Sequence, residues 1–177
     1  MKGMSLIHNN HDLFKVTTGE YNACVDQHAD GVYRFILHNT RDKEFAQDIV
    51  QDAFEKMWIN VGQINGEKAK SYLFTTAYHT MLDRLRRLKK QGNWNEVNEE
   101  QYSHSSGNYS GLKEVLRKAL NRLPEIQRTV VMLRDYEGYS YEEIGEITGL
   151  KESQVKVYIY RARLALKEYI GKPENVI

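Results

Sequence analysis

The chain has 177 residues, of which 41% are hydrophobic and 28% charged, and its 25 basic and 24 acidic residues leave a net charge of +1. This balance excludes a global basic field, so any contact with nucleic acid must come from local clusters of cations. The single Cys24 excludes an internal disulfide and a zinc site built on several cysteines. Residues 1–12 lack an apolar core of signal-peptide length and no apolar run could span a bilayer, so we expect a cytoplasmic protein without membrane insertion.

The predicted elements are helices, and the expected fold class is all-α. Apolar residues recur at helical spacing, and only Pro124 and Pro173 interrupt the chain. The segment 91–111 is rich in glycine, asparagine and serine and has almost no apolar periodicity, as is typical of a flexible linker. We therefore predict two small helical domains, 1–90 and 112–177, joined by the linker 91–111.

The second predicted helix contains the stretch DIVQDAFEKMW, which gathers polar groups on one face. This acidic face, with two aromatic residues at its border, consists of Asp48, Gln51, Asp52, Phe54, Glu55 and Trp58. Such a face is usually only solvated. An acidic surface edged by tryptophan is also typical of a protein docking site, because aromatic residues anchor interfaces and charges steer them. Periodicity leaves both interpretations open.

The third predicted helix, SYLFTTAYHTMLDRLRRLKK, carries aromatic residues first and cations last. Tyr72, Tyr78 and His79 are candidates for stacking on unpaired bases. The five cations between Arg84 and Lys90, with no acid among them, would neutralise phosphates. The alternative is a solvated helix end in which Asp83 forms an ion pair with Arg86 or Arg87.

The second predicted domain, 112–177, contains two helices with helix-turn-helix spacing. Ser140 and Glu143 form a capping-box pattern at the start of one helix, and Gly149 is placed to end it. A further helix is expected from about Glu152. Its apolar seam, which must dock on the preceding helices, is formed by Val155, Ile159, Ala162 and Leu166.

The remaining surface of this last helix fits the major groove of DNA. Lysine, arginine and tyrosine flank the seam, which suits contacts with phosphates, while the first turn would meet base edges. The first-turn candidates are Lys151, Ser153, Gln154 and Val157. The alternatives are a solvated surface helix and a protein-binding helix pair.

Motifs for catalysis are missing from the sequence. It contains no glycine-rich phosphate loop, nucleophile elbow or HExxH motif. His8 and His11 lie three residues apart, but no further histidine or cysteine nearby completes a metal site. We expect a protein that is not an enzyme and that uses neither a cofactor nor a metal.

Taken together, the order of these stretches resembles the sigma-70 family, in its compact extracytoplasmic-function (ECF) type with sigma regions two and four. The resemblance rests on DIVQDAFEKMW, SYLFTTAYHTMLDRLRR and LPEIQRTVVMLRDYEGYSYEEIGEITGLKESQVKVYIYRARLAL. It implies a protein that binds core RNA polymerase, directs it to promoter DNA and helps to open the minus-ten element, so that duplex and single-stranded DNA are both contacted. Because members of this family are commonly held inactive by anti-sigma factors, the resemblance also implies an anti-sigma factor as a possible partner.

The resemblance assigns three sets of residues by position. The set that docks on core polymerase is the acidic face, Asp48, Gln51, Asp52, Phe54, Glu55 and Trp58. The set that meets the minus-ten DNA is Tyr72, Tyr78, His79, Arg84, Arg86 and Arg87. The set that reads the minus-thirty-five element is Lys151, Glu152, Ser153, Gln154, Lys156, Val157, Tyr158, Arg161 and Arg163.

The resemblance gives two further expectations, and one rival interpretation stands beside it. The resemblance places a pocket for a flipped base around residues 60–70, and it makes 91–111 an acidic segment that threads toward the polymerase active site. Tyr78 and His79 stand where the family often has Arg-Asn, so a promoter consensus is not carried over. The rival is a stand-alone helix-turn-helix regulator that binds an operator without polymerase, which leaves the acidic face unexplained.

Overall fold

The computed structural model describes residues 16–92 and 110–172, and within these ranges it contains helices and no strands. The seven α-helices are α1 (Thr18–Thr40), α2 (Lys43–Ile59), α3 (Ala69–Lys90), α4 (Ser110–Asn121), α5 (Glu125–Asp135), α6 (Tyr141–Thr148) and α7 (Glu152–Ile170). The predicted all-α fold class is confirmed. In the described ranges, no helix is long and apolar enough to cross a membrane. His8, His11 and residues 93–109 of the predicted linker lie outside the described residues.

Helices α1 to α3 form the N-terminal block. Helix α1 begins with a capping box, in which the Thr17 hydroxyl accepts from the Glu20 N–H and the Glu20 carboxylate accepts from the Thr17 N–H. Two turns of 3₁₀-helix, Val61–Gln63 and Gly66–Lys68, connect α2 to α3. The three helices close over fully buried side chains, of which the largest are Phe35, Ile36, Ile49, Met57, Leu73, Phe74 and Met81.

Helices α4 to α7 form the C-terminal block, in which α6 and α7 are the predicted helix-turn-helix. The capping box of Ser140 and Glu143 is present, and Gly149 ends α6 in the left-handed conformation with φ 74°. The turn is tight, because a Cβ atom added to Gly145 would lie 2.8 Å from the carbonyl oxygen of Leu150. Of the predicted seam, Val155, Ile159 and Ala162 are buried, whereas Leu166 is half-buried.

The two blocks pack directly against each other. The Arg41 guanidinium after α1 donates to the carbonyl oxygen of Asn121 at 2.6 Å, and the Lys70 ammonium donates to the carbonyl oxygen of Glu137 at 2.6 Å. The Tyr139 ring, which is buried, lies edge-on to the Phe74 ring at 5.5 Å between centroids. One continuous cluster of buried apolar residues therefore runs through both blocks.

Candidate functional site

The acidic face lies on the outer surface of α2. Asp48 is exposed over 66% of its side chain, and Gln51 and Glu55 are also exposed. At its border Trp58 is 48% exposed and packs edge-to-face on Tyr21 at 5.0 Å between ring centroids. The Tyr21 hydroxyl donates to the carbonyl oxygen of Phe54 at 3.2 Å, which fixes this aromatic edge. Carboxylates and a fixed tryptophan are thus presented together to solvent.

Arg84 of α3 reaches across to this face. Its Nη2 atom lies 2.5 Å from a carboxylate oxygen of Asp52, and its Nη1 atom lies 3.6 Å from a carboxylate oxygen of Asp48. Arg84 is one of the cations that the family resemblance assigns to minus-ten DNA. The structure instead places its guanidinium against the acidic face, a contact that bridges 32 residues and has no signal in local periodicity.

The other aromatic residues and cations on α3 differ in accessibility. His79, Arg86 and Arg87 are exposed and Tyr72 is half-buried. Tyr78 is only 5% exposed and packs on Phe35 at 6.2 Å between ring centroids, and burial raises the pKa of its hydroxyl. Tyr78 therefore cannot stack on a base without leaving this position, and its predicted role stays a prediction.

The ion pair between Asp83 and Arg86, which the sequence offered as an alternative to DNA contact, is present. The Arg86 guanidinium donates to the Asp83 carboxylate at 3.0 Å, at the helical spacing of three residues. Both side chains are largely exposed, so the pair stabilises the helix weakly. This contact and the predicted contact of Arg86 with DNA are compatible, because a phosphate can displace an exposed carboxylate.

The start of α3, where the base pocket was predicted, faces the C-terminal block. The Lys70 ammonium lies 4.5 Å from the centroid of the Tyr139 ring and 3.9 Å from the Glu137 carboxylate. Desolvation lowers the pKa of the neighbouring His28, with Lys70 adding to the shift. This edge of the predicted pocket is thus covered by residues 137–139, which sequence spacing could not reveal.

The outer surface of α7 carries the candidates for the minus-thirty-five element. All of them are exposed except Tyr158, which is half-buried. Some already have partners: Lys156 lies 2.5 Å from the Glu152 carboxylate, and Arg163 forms an ion pair with Asp135 of α5.

Gln154 has a structural role at the start of α7. Its side-chain carbonyl accepts from the Lys151 N–H at 2.9 Å and so closes the first turn of the helix. Bidentate reading of adenine requires both the oxygen and the nitrogen of a glutamine amide. To read adenine in that way, Gln154 would have to give up this hydrogen bond.

The described residues show no arrangement suited to a metal ion. Within residues 16–92 and 110–172, no group of three or more histidine, cysteine or acidic side chains lies close enough to hold one. The exposed features of the described residues are an acidic face with an aromatic edge, a cationic helix end and a helix-turn-helix.

Comparisons with known proteins match both blocks. The family model "Sigma-70 region 2" matches residues 24–91, and the model "Sigma-70, region 4" matches residues 113–166. The chain is 31% identical to RNA polymerase sigma factor SigV of Bacillus subtilis over 153 residues, which cover 85% of this chain and 91% of that protein. It is 28% identical to ECF RNA polymerase sigma factor SigM of the same organism over 148 residues, 81% of this chain and 91% of SigM.

Solved structures share the fold. The sigma factor RpoE of Bartonella quintana, in complex with the anti-sigma factor NepR, matches with a TM-score of 0.72 at 25% identity, covering 88% of this chain and 99% of that one. CnrH, in complex with the cytosolic domain of CnrY, matches with a TM-score of 0.59 at 20% identity over 85% and 87% of the two chains, a similarity of fold alone.

Proposed function

The chain belongs to the sigma-70 family of RNA polymerase sigma factors, in its extracytoplasmic-function (ECF) type, and we propose that it binds core RNA polymerase and directs promoter recognition and opening. The observation that carries this function is the succession of region 2 and region 4 along one chain, each on its own helical block. The exposed acidic face and the exposed surface of α7 give each region a surface suited to its partner.

The roles of individual residues form part of the proposal. The acidic face docks on core polymerase, supported by its exposed carboxylates and its fixed tryptophan edge. His79, Arg86 and Arg87, exposed on α3, meet the minus-ten DNA, and Tyr72 borders the base pocket. The exposed surface of α7 reads the minus-thirty-five element.

The packing of the two blocks sets a requirement for promoter opening. Lys70 at the start of α3 is held by Glu137 and Tyr139. Release of these contacts would open the edge of the predicted base pocket that residues 137–139 cover. The predicted division into domains 1–90 and 112–177, with a linker between them, would permit that movement and is part of the proposal.

The remaining expectations follow from the proposed function. The protein acts by binding, without catalysis of its own, because polymerase supplies the chemistry of transcription. It works in the cytoplasm, where polymerase and promoter DNA meet. An anti-sigma factor is a further proposed partner, since the similar sigma factor RpoE was solved in complex with the anti-sigma factor NepR.

Co-elution with core RNA polymerase tests the proposal. Asp48→Arg is the variant of choice, because this carboxylate is 66% exposed and lies 3.6 Å from Arg84, whereas the less exposed Asp52 carboxylate makes the closer ion pair with Arg84 at 2.5 Å. Asp26→Arg, at an exposed position of α1, is the matched control. We expect the native chain and the control to co-elute with polymerase and Asp48→Arg to be lost from the complex.

Failure of the native chain to bind polymerase would overturn the proposal. Stable binding to duplex DNA by a chain that ignores polymerase would favour the stand-alone helix-turn-helix regulator. Retained binding by Asp48→Arg, with the native chain bound, would leave the sigma function intact and remove the acidic face from the docking surface.

A further inference from the structure

We propose that Arg84 is a positioning residue of the acidic face and not a contact for DNA. The inference rests on the proposed function, because it assumes that the acidic face docks on core polymerase. In this role Arg84 holds two carboxylates of α2 in one orientation and ties the docking helix to α3, the helix that meets DNA.

The geometry of the contact carries this assignment. Asp48 and Asp52 are four residues apart, so their carboxylates lie one above the other on the same side of α2. The guanidinium spans both, with Nη2 at 2.5 Å from Asp52 and Nη1 at 3.6 Å from Asp48. The planar fork of arginine can bridge two carboxylates in this way, whereas lysine offers a single point charge.

The bridge is not needed to hold the fold together. Helices α2 and α3 already pack through fully buried Ile49, Ala53 and Met57. Arg84 and Asp52 retain 33% and 32% of their side-chain exposure, and ion pairs this accessible contribute little to stability. A contact that stabilises the fold so weakly can still fix side-chain orientation at a binding surface.

The contact also separates Arg84 from the other cations of α3. Arg86 and Arg87 are exposed, and Arg86 forms an ion pair with Asp83 of its own helix. The charge of Arg84 is instead compensated by carboxylates of a second helix. A phosphate would have to displace Asp52 and Asp48 before it gained this cation, so Arg84 adds little to DNA binding.

Loss of Arg84 has a defined consequence for docking. Two carboxylates one helical turn apart repel each other, and without the bridge their side chains separate and sample several orientations. Polymerase would then have to order them as it binds, which lowers affinity. We expect Arg84→Ala to weaken binding to core polymerase by about five- to tenfold, and Arg84→Lys to recover part of the loss.

Two measurements on the full-length chain test the inference. The first is the dissociation constant of the fluorescently labelled chain with core RNA polymerase. The second is the salt dependence of binding of the assembled holoenzyme to a DNA duplex with an unpaired bubble, because each lost phosphate contact lowers the slope by about one. The variants are Arg84→Ala, Arg84→Lys and, as a matched arginine of the same helix, Arg87→Ala.

A positioning role predicts opposite behaviour of the two arginines. Arg84→Ala should weaken polymerase binding and leave the salt slope unchanged, whereas Arg87→Ala should lower the slope and leave polymerase binding unchanged. Unchanged polymerase binding by a folded Arg84→Ala chain, tighter binding by it, or a lower salt slope overturns the inference alone. If the native chain does not bind polymerase, the proposed function fails and the inference fails with it.

Discussion

The side-chain oxygen of Asn39 in α1 accepts a hydrogen bond of 2.8 Å from the hydroxyl of Thr129 in α5, which lies 90 residues further along the chain. Both side chains are buried, and the Asn39 amide nitrogen also donates to the carbonyl oxygen of Phe35 at 2.8 Å. The Arg128 guanidinium donates to the backbone carbonyl oxygen of Asn39 at 3.5 Å. This pair of side chains is a polar connection between the N-terminal and C-terminal blocks.

Removal of Asn39 is therefore expected to destabilise the folded chain. Asn39→Ala leaves the buried hydroxyl of Thr129 without this acceptor, so the free energy of unfolding should fall by about 1–3 kcal/mol. In a double-mutant cycle, Asn39→Ala with Thr129→Val should cost less than the sum of the single changes. Urea denaturation followed by circular dichroism measures both, and Asn22→Ala, exposed on α1, is the control. Additive costs would contradict the coupling.

Stability is expected to fall in mild acid because of His38. Burial lowers the pKa of His38 to about 4, and the cations Arg128, Arg117 and Arg34 add to the effect. A histidine of the unfolded chain titrates near 6.5, so between these values the unfolded chain binds more protons than the folded one. The free energy of unfolding should therefore decrease, by on the order of 3 kcal/mol, as the pH falls from about 6.5 to about 4.

A substitution of His38 and a control that changes no titrating group isolate this effect. His38→Gln should flatten the dependence of unfolding free energy on pH between about 4 and 6.5, because it removes the titrating group. Asn22→Gln, at an exposed position of α1, should leave that dependence as it is in the native chain. Denaturant titrations across the pH range give the slopes. Equal slopes for the native chain and His38→Gln would show that other groups cause the acid sensitivity.

The turn between α6 and α7 should tolerate no side chain at Gly145. A Cβ atom there would lie 2.8 Å from the carbonyl oxygen of Leu150, so Gly145→Ala must displace the backbone of the turn at Leu150. We expect a loss of about 1–3 kcal/mol in the free energy of unfolding. Gly111→Ala, in open space on α4, should instead stabilise the chain by about 0.5–1 kcal/mol. Thermal denaturation that ranks the two variants in the opposite order would contradict this view of the turn.

The two arginines of α7 should differ in their contribution to duplex binding. Arg161 is exposed, whereas the charge of Arg163 is compensated by Asp135, with Nε 3.1 Å from the carboxylate. Arg161→Ala should reduce the salt slope of binding to duplex DNA by about one, and Arg163→Ala should reduce it by less. Fluorescence anisotropy over a series of salt concentrations measures the slopes. A larger effect of Arg163→Ala would show that DNA displaces Asp135.

Much of the local structure follows from sequence patterns that act over a few residues. The capping box of Ser140 and Glu143, the left-handed Gly149 and the buried positions Val155 and Ile159 were predicted and are confirmed. The capping box and the glycine depend on hydrogen bonds within about one helical turn, and the apolar spacing of Val155 and Ile159 marks the helix face that packs on the other helices, so residue spacing carries the information. The order of the region 2 and region 4 motifs also identified the family, because such motifs can be recognised in the sequence without knowledge of the packing.

Other features depended on contacts between distant parts of the chain. Tyr78 was predicted to meet DNA and is buried against Phe35, since two residues from different helices decide its exposure. Arg84 is a second example. Its position on α3 places it among the cations of that helix, but its guanidinium forms an ion pair with Asp52 of α2.

The sequence by itself therefore determined the helical segments, the caps of α6, the all-α class and the family. The tertiary structure alone decided which candidate side chains are accessible, which cations are already paired, and how the two blocks cover Lys70. The physical reason is the range of the forces involved. Helix periodicity and capping are set by neighbours within about four residues, whereas burial and ion pairing depend on groups that only the folded chain brings together.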